Sequence, residues 1–170
     1  MHILKLVAIT SYLGGSKLNE QWTPHGKGST ESHGQYISAI YRHMQVLIST
    51  ELAPYRIGSG QYIFLMAIAF QEAVTQKALS EKLLIDKTTT AKAIAKLEAE
   101  GYVRREADPA DNRYQLLFLT ESGRQVVPKV QKALDRVKNK TRKGIADEQY
   151  DLMMGLLKTV LNNLTEHDAT

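Results

Sequence analysis

The sequence contains no cysteine. That absence excludes a disulfide framework, a thiolate metal site and any thiol-based peroxide switch. Long apolar runs are missing too, and nothing approaches the roughly 18 consecutive residues of a transmembrane helix. The Met1–Leu13 stretch has neither a convincing basic start nor a small-residue cleavage site, so a cytoplasmic protein with no membrane association is expected. Gly-rich phosphate loops, metal-ligand pairs and nucleophile–base arrangements at a recognisable spacing are likewise absent. No catalytic residue, metal or cofactor is therefore assigned, and an enzyme is not expected. His43 has no second ligand at a spacing that would complete a helix-borne metal site.

What is present suits a single globular core. The chain has 170 residues, 43% hydrophobic and 24% charged, with a formal charge of +4. A mildly basic balance favours a polyanionic partner, and the distribution of the cations says more than their sum. They crowd the Thr88–Lys96 stretch, Arg104 and Arg105, and the run from Lys129 to Lys143. That last run reads more simply as a solvated helix face than as a phosphate track.

The most informative segment runs from Thr75 to Arg124. Thr75 is a candidate N-cap, followed by apolar Leu79 and Leu83 and a short break at Leu84-Ile85-Asp86, the length of a helix-turn-helix corner. Asp86 then caps a second helix that Gly101 stops. At roughly 100° per residue, Ala91, Ile94 and Leu97 share one side while Thr88, Thr89, Lys92 and Lys96 form a stripe on the other. Small residues on such a stripe let a helix approach base edges in a major groove about 12 Å wide. Thr90 falls with the packed residues by its angle, and is also included among the expected DNA contacts. Next come a strand at Tyr102–Glu106, a turn at Ala107–Asn112 rich in Asp, Pro and Asn, and a returning strand at Arg113–Leu119. Arg113 stands where the wing turns back, placed to reach a narrow minor groove. Asp108 and Asp111 are expected to hold the loop or orient that arginine. The expected DNA-contacting set is thus Thr88, Thr89, Thr90, Lys92, Lys96, Arg104, Arg105, Asp111 and Arg113.

Asp108-Pro109-Ala110-Asp111-Asn112-Arg113, followed by Leu119-Thr120-Glu121-Ser122-Gly123-Arg124, resembles the wing and following helix start of the multiple antibiotic resistance regulator (MarR) family. Leu97-Glu98-Ala99-Glu100-Gly101-Tyr102-Val103-Arg104-Arg105 is similar to that family's passage from recognition helix into wing. The likeness extends more weakly from about Gln35 to Leu164. It implies a dimeric transcriptional regulator, usually a repressor, whose hold on DNA is often loosened by small aromatic or phenolic compounds; a homodimer with two recognition helices is in turn expected to bind a pseudo-palindromic operator in double-stranded DNA. The alternative is a winged-helix protein-interaction module that has lost specific DNA binding.

The expected fold class is mainly α with a small β-wing (α+β), a winged helix-turn-helix with N- and C-terminal dimerisation helices. Residues 1–34 are expected to form a flexible extension, 35–56 an N-terminal dimerisation helix, 57–123 the DNA-binding region, and 124–170 a long connecting helix and C-terminal dimerisation helix. Two apolar stripes carry the dimer expectation: Ile37, Ile40, Tyr41, Met44, Leu47 and Ile48, and Tyr150, Met153, Met154, Leu157, Val160, Leu161 and Leu164. Ser59 is expected to cap a helix through Phe70, Pro54 to close the helix before it, and Pro128 to kink or delay the long helix after Thr120. Tyr36, Tyr41, Arg42, His43, Met66 and Phe70 are the residues available to an aromatic effector, although such residues at helical spacing are more often plain core.

Overall fold

The computed structural model describes residues 32–165. Most of the expected N-terminal extension lies outside the described residues. The chain divides into a unit ending at His43 and a larger one beginning at Met44, and α1 (His33–Leu52) runs through the boundary. This helix starts ahead of Gln35, so His33 and Gly34 are helical rather than part of an arm. It ends at Leu52, where a 3-10 turn, Ala53–Tyr55, carries Pro54 as expected.

The larger unit continues with α2 (Tyr62–Phe70), β1 (Val74–Thr75), α3 (Gln76–Leu83), α4 (Lys87–Ala99), β2 (Val103–Ala107), β3 (Gln115–Leu119), α5 (Glu121–Arg142) and α6 (Asp147–Thr165). The small sheet is antiparallel in the order β1-β3-β2, with Val74 opposite Leu117 and Val103 opposite Leu119. One core joins Leu52, Phe64, Leu65, Ile68, Leu79, Ile94, Leu97, Leu117, Val130 and Ala133, so the end of α1, the helix-turn-helix, the sheet and α5 as far as Val137 share a single interior. Among the described residues, no helix is long and apolar enough to cross a membrane.

Local signals set the boundaries of the reading head. The Thr75 hydroxyl accepts from the Ala78 amide at 3.1 Å, and Asp86 Oδ1 accepts from the Thr89 amide at 2.8 Å, so both helices start on side-chain caps. Leu84 turns the corner between them in the left-handed region (φ 54°), and the buried Ser80 hydroxyl donates to the Ile85 carbonyl at 2.7 Å to hold it there. At the far end of α4, Gly101 takes φ 75°, its amide donates to Glu98 and the Tyr102 amide donates to Leu97, a Schellman closure. Successive threonines weaken the propensity of α4 by up to about 0.7 kcal/mol each. Burial of Ile94 and Leu97, at roughly 1.5–3 kcal/mol apiece, outweighs that cost.

Two expectations are corrected. Ser59 does not cap α2. It accepts from the Ser49 hydroxyl at 2.9 Å, while Gln61 occupies the cap position and its Oε1 accepts from the Gly58 amide at 2.8 Å. In α2, Phe64 joins Leu65 and Ile68 in the fully buried set, whereas Ile63 and Met66 are half-buried. Pro128 does not delay α5, which begins at Glu121 on the Thr120 hydroxyl cap. Proline removes one ladder hydrogen bond, yet it sits on the exposed side, and the buried Val126, Val130, Ala133 and Val137 hold the helix on either side of it.

Glu72 closes the base of the wing. Its carboxylate pairs with Arg124 of α5 and accepts from the Leu119 amide at 3.2 Å. The Arg124 guanidinium foremost holds its carboxyl below the ordinary value of 4.5. A depressed carboxyl contributes stability that is present above its unfolded value and lost as the pH falls through the folded one. Glu72→Gln is therefore expected to lower stability by about 1–2 kcal/mol at neutral pH and to flatten the acid side of the stability profile below about pH 4.5, as read by urea denaturation at a series of pH values.

Candidate nucleic-acid interface

The helix-turn-helix leaves one face of α4 uncovered. Lys87, Thr88, Thr89, Lys92 and Lys96 are exposed, while Thr90, Ala93, Ile94 and Leu97 are buried against the core. Thr90 is thus corrected: it is fully buried, and its hydroxyl donates to the Asp86 carbonyl at 2.9 Å. It holds the first turn of the helix and presents nothing outward. Ala93, rather than the half-buried Ala91, completes the packed side. Lys87 is a further outward cation that the periodicity argument missed, although its place directly after the Asp86 cap made it legible.

The wing supplies the second feature. Asp108 Oδ1 accepts from the Ala110 amide at 2.9 Å, and the Tyr114 amide returns to the Asp111 carbonyl at 2.9 Å, closing a tight tip. The Arg113 side chain projects from it 84% exposed, gripped along one edge by Asp111, with Nε to Oδ1 at 2.9 Å and Nη2 to Oδ2 at 2.6 Å. This fork leaves the Nη1 edge pointing away from the carboxylate, and Arg113 in turn holds the Asp111 carboxyl below its ordinary range. Asp111 is placed to aim the arginine, as its position in the turn suggested.

Arg104 and Arg105 stand apart from the exposed lysines of α4 and from Arg113 at the wing tip. Arg104 pairs with Glu106 and lies over the Phe118 ring, 5.1 Å from its centroid. Arg105 donates from Nε to both oxygens of Glu98, at 3.0 and 3.1 Å, and reaches Gln76 at 3.4 Å. These pairings tie the wing to itself and to α3 and α4. Glu98, which reads in isolation as a surface residue, is the partner that sequence alone does not reveal.

The residues available to an effector fall in different units. Tyr36, Tyr41, Arg42 and His43 lie on α1 up to the unit boundary, where Tyr41 and Arg42 are exposed and the Arg42 guanidinium donates to the Ser38 hydroxyl at 2.5 Å. Met66 packs against the core of the larger unit. Phe70 is 84% exposed, with the Lys82 ammonium 5.1 Å from its ring centroid.

A MarR family model matches residues 57–113, the span from the buried Ile57 to the wing-tip arginine. The chain is 38% identical to a MarR transcriptional regulator from Methanosarcina mazei, over 78% of this chain and 96% of that one, with a TM-score of 0.72. The chain belongs to the MarR family. It is a winged helix-turn-helix transcriptional regulator. The transcriptional regulator HosA of Escherichia coli O111:H- is similar to it at 33% identity over 102 residues, 60% of this chain and 76% of HosA. A MarR family regulator from Listeria monocytogenes, solved in complex with a 26-mer DNA, shares 26% identity over 81% of this chain and 92% of that one, with a TM-score of 0.74. Within the MarR family frame, α3 and α4 are the helix-turn-helix and β2–β3 the wing.

Proposed function

We propose that this MarR family chain is a homodimeric, sequence-specific double-stranded DNA-binding regulator, a repressor released by a small aromatic or phenolic compound. The observation that carries the DNA reading is the pairing of an uncovered Thr88, Thr89, Lys92 and Lys96 stripe with an exposed, carboxylate-aimed Arg113 on the adjoining wing. In this reading α4 enters the major groove, its threonines close to base edges and its lysines on phosphates, while Arg113 reaches the flanking minor groove. Arg104, Arg105 and Asp111 act by positioning the wing.

Dimerisation rests on the second apolar stripe. No residue of α6 is buried; Met153, Met154, Leu157, Leu161 and Leu164 of the stripe are exposed in the single chain, and Leu152 and Leu156 beside it are exposed as well. A continuous apolar face of this kind marks an interaction surface. A two-fold partner would cover it and present two recognition helices to half-sites about 34 Å apart. The repressor role and its release by a ligand rest on the family resemblance.

Titration of the purified protein against duplex DNA from upstream of its own gene, with scrambled duplex as control, tests the reading. Preferential binding of the native fragment at near-physiological salt supports it. Equal weak binding to both would reduce the attraction to a generic basic surface and bring the interaction-module alternative forward. Replacing Lys92 or Lys96 by alanine is expected to weaken binding to both duplexes alike. The plot of log affinity against log salt should also flatten, by about one unit of slope for each phosphate that is no longer neutralised.

A further inference from the structure

The covalent link between α4 and β2 is the corner Glu100-Gly101-Tyr102, and it is gripped from outside the helix-turn-helix. The Tyr102 hydroxyl donates to the Tyr55 carbonyl at 3.0 Å, and Arg56 Nε meets Glu100 Oε2 at 3.0 Å. Both partners belong to the turn that ends α1. That turn is itself stiff: Pro54 restricts it, the Arg56 amide donates to the Ala53 carbonyl at 3.0 Å, and Arg56 holds a left-handed conformation at φ 55°. One turn earlier, Glu51 of α1 accepts from Arg136 of α5 at 2.8 Å. On its other side the corner is held by Thr120, whose amide donates to the Tyr102 carbonyl at 3.0 Å and whose hydroxyl donates to the Gly101 carbonyl at 2.5 Å.

We infer that Tyr55, Arg56, Glu100 and Tyr102 form a positioning joint that sets the angle of the recognition helix and wing relative to the end of α1, and through it the register between the Thr88–Lys96 stripe and Arg113. None of the four is placed among the DNA-facing residues; each acts through the corner. A single hydroxyl hydrogen bond and a pair whose arginine side chain is 79% exposed add little to stability. The core beneath, with Leu52, Leu97, Val103 and Leu119 buried, keeps the fold when they are removed. What they supply is direction: without them the corner keeps its helix closure, its Thr120 hydrogen bonds and the core packing of Leu97 and Val103, but loses its side-chain ties to the turn that ends α1, and the angle between the two is less tightly set.

The inference deepens the DNA-binding reading, so its test has one arm that does not depend on DNA. Because the chain has no cysteine, spin labels can be placed cleanly at Thr50→Cys on α1 and Lys92→Cys on α4, both exposed positions, in full-length protein diluted with unlabelled chains. The joint predicts a narrow distance distribution that broadens or shifts by several ångström when Arg56→Ala and Tyr102→Phe are combined, with the melting temperature nearly unchanged. In the unlabelled protein, the same pair of substitutions is expected to reduce discrimination between native and scrambled duplex about tenfold without altering the salt slope. The exchange Arg56→Glu with Glu100→Arg is expected to recover discrimination lost in Arg56→Glu alone. An unchanged distance distribution overturns the joint, as does broadening that tracks a proportional loss of thermal stability. A wild-type protein that fails to discriminate the duplexes overturns the DNA reading instead, while the distance measurement still decides the joint.

Discussion

Gly123→Ala is expected to destabilise the protein by about 3 kcal/mol or more, the upper range for forcing an extra group into a packed site. A Cβ at this position would stand 2.1 Å from the Tyr102 carbonyl oxygen, 3.1 Å from its carbon and 3.4 Å from Leu119 Cβ. The obstacle is backbone, so no rotamer change relieves it. The carbonyl cannot retreat easily, because it accepts from the Thr120 amide and belongs to the corner between α4 and β2. Relief requires moving the start of α5 away from the wing base or turning the recognition helix. For a chain of this size the loss corresponds to a fall in melting temperature of roughly 10 °C, accompanied by weakened operator binding in the fraction that remains folded. Gly60→Ala is the matched control, since a Cβ there meets nothing within 4 Å, and its melting temperature is expected to stay close to wild type. Equal melting temperatures for the two variants would show that α5 can withdraw from Tyr102 at little cost.

Arg113→Ala is expected to produce the largest loss of DNA affinity without loss of fold. The side chain is almost wholly in solvent and pairs with Asp111 of the same turn, so thermal stability is expected to change little. If the guanidinium enters the minor groove, specific affinity falls roughly 10- to 100-fold, corresponding to about 1–3 kcal/mol. The loss should exceed that for scrambled duplex. Asp111→Ala tests the same assignment from the other side. It frees the arginine and removes a negative charge near DNA, so a purely electrostatic wing would bind more tightly, whereas an aimed one binds the native site less well and the scrambled one no worse. Unchanged affinity of Arg113→Ala across a range of salt concentrations would remove the wing tip from the interface.

Much of the reading head was legible because its determinants are local. Thr75 and Asp86 offer acceptors to amides a turn away, Gly101 is the residue that tolerates a left-handed stop, and Asp108 and Asp111 fold the wing tip through hydrogen bonds spanning two or three residues. Helical angle alone also placed Thr90 with Ile94 and Leu97, and the structure agrees with that angle rather than with its inclusion among the DNA contacts. The roles of Arg104 and Arg105 were not legible, because Glu106, Phe118, Glu98 and Gln76 reach them across strands or between elements. Ser59 has the residue type of a cap, but the helix starts later and its hydroxyl accepts from Ser49 of α1.

By itself the sequence determined the helix-turn-helix with its two wing strands, the Thr75 and Asp86 caps, the turn chemistry of the wing, the outward stripe of α4 and the family, but not the short strand Val74–Thr75 that completes the sheet. These depend on φ preferences, periodicity and hydrogen bonds within a few residues, which a linear reading can follow. Only the tertiary structure decided which cations stay free, why position 123 must lack a side chain, and how the end of α1 holds the corner from which helix and wing both project. Those are distances between segments separated by tens of residues, and they exist only once the shared core has brought the segments together.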